Sequence, residues 1–116
     1  MIDENALSKM KDGVILINTA RGNLIDSKAM IAAIKSGKIG AAGLDVIEDE
    51  FGLYYYDHKS DILKNRDLAV LRGFPNVTVS HHMAFYTENA IRTMVADSLI
   101  GCKRFVDGEE NPWQVL

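Results

Sequence analysis

Three kinds of side chain in this sequence are placed to do chemistry together. The apolar run Val14-Ile15-Leu16-Ile17 ends in Asn18-Thr19-Ala20-Arg21-Gly22, so a cation follows directly on a strand-like segment. An arginine there suits a small carboxylic acid, because its planar fork binds a carboxylate through two parallel hydrogen bonds and keeps its charge at any working pH. A second run, Ala41-Ala42-Gly43-Leu44-Asp45-Val46-Ile47, opens into Glu48-Asp49-Glu50. A third, Val77-Thr78-Val79-Ser80, ends in His81-His82. Histidine titrates near neutrality and is the natural proton donor and acceptor. A carboxylate beside it fixes the ring and favours its charged form.

The elements that must position these groups can be read from the pattern around them. Cation, carboxylate and imidazole each sit at the C-terminal end of an expected strand, the edge at which open α/β sheets bind ligands. Residues 3–11 read as a short helix stopped by Gly13, and residues 14–18 as the first strand. Asp26 or Ser27 can cap a second helix whose Met30, Ile31 and Ile34 share a face, with Gly37 as its stop. An irregular region over 47–60 holds Tyr54-Tyr55-Tyr56, then residues 63–72 read as helix and Pro75-Asn76 turns the chain into the third strand. Thr87 can cap a longer helix ending at Asp107-Gly108, with Ile91, Met94, Val95, Leu99, Cys102, Phe105 and Val106 as an apolar packing stripe. Trp113 reads as an anchor against neighbouring protein.

These motifs, in this order, resemble the D-2-hydroxyacid dehydrogenase family, most closely its D-lactate dehydrogenase branch. The resemblance rests on Asn18-Thr19-Ala20-Arg21-Gly22, on Ser36-Gly37-Lys38-Ile39 leading into Ala42-Gly43-Leu44-Asp45-Val46, on Glu50, and on His82-Met83-Ala84-Phe85-Tyr86-Thr87-Glu88. It implies an α/β fold: the second half of a Rossmann-like, doubly wound parallel sheet, with a C-terminal helix returning toward a substrate domain. On that reading residues 1–84 belong to an NAD-binding domain and residues 85–116 to the return segment.

The resemblance also implies roles. Arg21 would clamp the substrate carboxylate, His82 would act as general acid and base, and Glu50 would orient His82. Asp45 would hold the nicotinamide carboxamide of NAD, with Thr19, Ala20 and Arg21 beside the ring, and Phe85 would wall the substrate side-chain pocket. The implied reaction is hydride transfer between NADH and a small 2-keto acid or its 2-hydroxy product. A parent homodimer is expected. A non-enzymatic remnant or interaction module is the competing class.

Other readings compete at single positions. Glu48, Asp49, Glu50 and Asp57 could form a solvated acidic loop, and only the spacing of the D-lactate branch selects Glu50 over Glu48. A metal site at the paired histidines is rejected, since adjacent residues at a strand end point to opposite sides. His81 stands where the family commonly has proline. The tyrosine run is expected to pack a loop onto the domain. Gly37, Gly40 and Gly43 precede a strand instead of following one, so they are not the G-x-G-x-x-G turn that cradles a pyrophosphate. That turn is expected to lie before Met1, and the isolated chain is expected to be inactive.

Composition sets the outer limits. With 47% hydrophobic and 25% charged residues in 116, the chain has the make-up of one globular core. A formal net charge of −3 leaves no basic footprint for nucleic acid or an anionic membrane. No apolar run approaches the roughly 20 residues of a membrane-spanning helix. The lone Cys102 fits a reducing, cytoplasmic setting. A sheet of about three strands keeps an open edge, so self-association is expected.

Overall fold

The computed structural model describes residues 1–54 and 65–114. The tyrosine run is therefore seen only at Tyr54, and Tyr55, Tyr56 and Asp57 lie outside the described residues, as do the first two residues of the expected 63–72 helix. Contacts divide the chain into two compact units, Met1–Met83 and Ala84–Leu116.

The first unit is built on a parallel three-stranded sheet with the order β1 (Val14–Asn18), β2 (Ile39–Leu44), β3 (Val77–Val79). Helix α1 (Glu4–Ser8) precedes β1, and helices α2 (Ser27–Lys35) and α3 (Arg66–Arg72) form the two crossovers. Asp3, Asp26 and Asn65 each accept a hydrogen bond from the backbone N–H three residues on, so all three helices start on a side-chain cap. Gly37, at φ 79°, closes the turn after α2 in the left-handed region that favours glycine. α1 stops at Ser8, short of the expected residue 11, because Lys9 and Met10 bond back to Ala6 and Leu7, three residues away, and tighten the last turn. β3 also stops early. Ser80 N–H still reaches Leu44 O of β2 at 2.9 Å, but the Ser80 side chain and the N–H groups of His82 and Met83 turn to Asp45, beyond the end of that strand.

The core lies on the face of the sheet that α2 and α3 cover. Ile39, Leu68 and Leu71 are fully buried, with Leu7, Leu16, Ile25, Met30, Ile34 and Leu44 around them. β1 alternates across the sheet: Leu16 and Asn18 are buried while Ile15 and Ile17 remain 69% and 70% exposed. The other face of β1 is thus apolar and uncovered among the described residues.

The second unit consists of α4 (Glu88–Asp107) and its flanks. Thr87 caps its start and Gly108, at φ 70°, ends it. No residue of α4 is buried, and the expected stripe stays open, with Leu99 67% and Phe105 80% exposed. After the helix, the Arg104 guanidinium lies 5.9 Å from the centre of the Trp113 ring. No helix among the described residues is long and apolar enough to cross a membrane.

Candidate active site

The C-terminal ends of β1, β2 and β3 bring the chemical residues of the first unit to one edge of the sheet. At the end of β1, the Asn18 side chain folds the following loop: its Oδ1 accepts from Ala20 N–H at 3.1 Å and its Nδ2 donates to Arg21 O at 2.9 Å. Thr19, Ala20 and Arg21 are thereby presented to solvent while Asn18 itself is 6% exposed. The Arg21 guanidinium donates to Ala20 O at 2.8 Å and forms no ion pair with a described carboxylate. Its fork remains available to an incoming anion.

At the end of β2, Asp45 is 4% exposed and serves as the hub of the third loop. Its carboxylate Oδ1 accepts from Ser80 Oγ at 2.5 Å and from Met83 N–H at 2.8 Å, and its backbone O accepts from His82 N–H at 2.8 Å. These bonds hold His82 in a left-handed conformation, φ 55°, that non-glycine residues rarely adopt. Strain of this kind is kept only where the surroundings enforce it, and it gathers at functional sites.

His82 and Glu50 meet. Nδ1 of His82 lies 2.9 Å from Glu50 Oε1, with the two side chains 33% and 21% exposed. A carboxylate can only accept here, so Nδ1 is the donor in this pair. Glu50 is itself tied down: its Oε2 accepts from Ile47 N–H at 3.1 Å. Glu48, its rival in the sequence, turns elsewhere, and its Oε2 accepts from Ser27 N–H at 2.7 Å, at the start of α2. His81 goes to another partner as well. Arg72 Nη2 donates to its Nε2 at 2.8 Å, and the buried Tyr54 meets its ring edge-on at 5.5 Å. Among the described residues no group of three or more His, Cys, Asp and Glu side chains could hold a metal ion.

Residues 1–84 match the family model of the D-isomer specific 2-hydroxyacid dehydrogenase NAD binding domain. The chain belongs to that family. The aromatic 2-oxoacid reductase of Clostridium sporogenes is 46% identical over 105 residues, which are 90% of this chain and 32% of that protein. A crystal structure of a D-lactate dehydrogenase from Treponema pallidum superposes with a TM-score of 0.92 at 36% identity, over 99% of this chain and 35% of that one. The D-lactate dehydrogenase of Lactobacillus jensenii, solved with NAD+, gives 0.88 at 33% identity, over 100% of this chain and 35% of that one. This chain therefore spans about a third of the length of the relatives it matches.

The match to an NAD binding domain covers this whole edge. Asp45 is a buried carboxylate one residue beyond a parallel strand, and Thr19 and Ala20 expose the neighbouring loop. The glycines of the 37–43 string do other work. A side chain on Gly40 would come within 2.7 Å of Gly13 O, and Gly43 lies inside β2 opposite Ile17. Phe85 belongs to the second unit, 41% exposed and edge-on to Tyr86 at 6.1 Å between ring centres.

Three residues that organise this edge were given no role of their own by the sequence. Asn18 shapes the Arg21 loop, Ser80 binds the Asp45 carboxylate, and Gly22 lies against the backbone at Ile47. An asparagine at a strand end is the one signal that could have been read.

Proposed function

We propose that this chain is the catalytic C-terminal part of an NAD-dependent D-2-hydroxyacid dehydrogenase of the D-lactate type, reducing a small 2-keto acid. The observation that carries the reading is the His82–Glu50 pair at 2.9 Å, at the sheet edge where Arg21 is presented. Asp45, Thr19 and Ala20 would hold the nicotinamide end of NADH, which would supply the hydride taken up by the carbonyl carbon of the keto acid. Arg21 holds the keto acid by its carboxylate. His82 Nε2 gives a proton to the carbonyl oxygen, and Glu50, on Nδ1, keeps the ring oriented while the charge changes.

Residues 1–84 act on this reading as half of the NAD-binding domain and 85–116 as the segment that returns toward the substrate domain. The parent enzyme is a homodimer working in the cytoplasm, where an exposed free thiol such as Cys102 stays reduced. The 116 residues alone are expected to self-associate through exposed apolar surface such as Ile15 and Ile17. Alone they are expected to turn over no substrate, because the sequence holds no G-x-G-x-x-G turn to cradle the pyrophosphate.

Arg21 provides the test, in a chain of full family length. Arg21→Gln should raise KM for the keto acid and lower kcat/KM more than a hundredfold, about 3 kcal/mol of lost transition-state binding. Arg21→Lys should recover part of it, since lysine keeps the charge and lacks the fork. Unchanged kinetics in the glutamine variant would remove Arg21 from the site.

A further inference from the structure

The Arg21 loop and the Glu50 loop come from different strands, yet they meet at one peptide. A Cβ built on Gly22 would stand 2.0 Å from Ile47 O and 2.6 Å from Glu48 N, so only glycine lets the backbones approach this closely. The same Ile47 uses its N–H to hold Glu50 Oε2 at 3.1 Å. Asp49, at φ 54°, makes the tight turn that brings Glu50 back onto it. Ile47 is thus wedged between the residue after Arg21 and the carboxylate of Glu50.

Glu48 fastens this wedge from the other side. Its side chain accepts from Ser27 N–H at 2.7 Å, and its backbone O accepts from Asn65 Nδ2 at 3.1 Å, so the N-terminal ends of α2 and α3 both close on one residue. The seven-residue path from Arg21 to Ser27 is gripped near each end, at Gly22 by contact and at Ser27 by the carboxylate. We propose that Glu48 is a positioning residue that holds the substrate clamp Arg21 and the histidine's partner Glu50 in one fixed geometry. It touches neither substrate nor cofactor and acts through the 47–50 loop. The inference rests on the roles proposed above for Arg21 and Glu50.

A helix cap alone would alter only stability, so the test reads kinetics per folded enzyme in a chain of full family length. Glu48→Ala should raise the keto-acid KM about tenfold and lower kcat about tenfold, since both ends of the clamp lose registration. Glu48→Gln keeps an acceptor for Ser27 N–H and should restore values close to wild type. Ser27→Pro is the second variant: proline is suited to the first position of a helix, and Asp26 already has the extended backbone, φ −66° and ψ 113°, that a following proline prefers. It removes the donor while leaving Glu48 intact, should move KM and kcat in the same directions, and decides the matter if Glu48→Ala fails to fold. Wild-type KM and kcat in Ser27→Pro and in folded Glu48→Ala, with only the melting temperature lowered, would overturn the proposal. Arg21→Gln run alongside separates the two failures. If it shifts KM and the Glu48 and Ser27 variants do not, this inference alone falls; if it too leaves KM unchanged, the proposed site falls with it.

Discussion

Helices α2 and α4 begin alike and end differently. Each starts on a side-chain cap and carries an apolar stripe at helical spacing, yet α2 buries Met30, Ala33 and Ile34 whereas α4 buries nothing. The difference lies in what surrounds them. α2 is a crossover between two hydrogen-bonded parallel strands, which leaves it no choice but to pack on their sheet. α4 follows β3, and among the described residues no strand after it takes it back to a sheet. An amphipathic pattern states that a face must be covered; only the topology supplies the cover.

The first unit should therefore respond sharply to substitution, and α4 weakly. The largest effect is expected at the sheet edge: Glu50→Gln, in a chain of full family length, should lower kcat on the order of a hundredfold with little change in KM, because the amide no longer supports a charged His82. An equal loss in a glutamine variant of the exposed Leu99 would erase the contrast between the two regions. Next in size is core packing. Leu71→Ala should destabilise the first unit by about 2–5 kcal/mol in a denaturant titration, whereas Leu99→Ala should cost about 0.5 kcal/mol or less. Similar losses at both would mean that α4 is covered after all.

The smallest effect concerns Asp12. Lys38 Nζ donates to its carboxylate at 2.8 Å, which, with the ammonium charge, holds the Asp12 carboxyl below the usual carboxylate range. A carboxyl depressed on folding adds stability that is present above its unfolded value and is lost as pH falls through the lower folded one. Asp12→Asn should thus lower stability slightly at neutral pH and converge on wild type below about pH 4, as urea midpoints across that range would reveal. A difference that is absent at neutral pH, or that persists undiminished in acid, would contradict the assignment.

The parts of this molecule that announce themselves in the sequence are those decided within a few residues. Asp26, Thr87, Gly37 and Gly108 cap or stop helices through bonds to their own neighbours. Arg21 and His82 stood out by residue type at the ends of apolar runs, and Glu50 only by the spacing of the family the chain resembles. What could not be read depends on pairs far apart in the chain. Glu48 and Glu50 are the same residue type two positions apart, and only the placement of Ser27 and His82 separates their tasks. Ser80 acquires a role solely because β2 and β3 bring Asp45 beside it. The early end of α1 is likewise a backbone choice, made by bonds from Lys9 and Met10 that no side chain signals.

The central claim is that the His82–Glu50 pair is the proton donor of a keto-acid reductase. NADH oxidation in the presence of pyruvate, with chiral analysis of the product, measures this most directly in wild type, His82→Gln and His81→Gln of full family length. The account predicts D-lactate from wild type, a loss of at least about a hundredfold in kcat for His82→Gln, and turnover largely kept in His81→Gln, whose amide can still accept from Arg72. Equal turnover in wild type and His82→Gln, or an L-product, would contradict it.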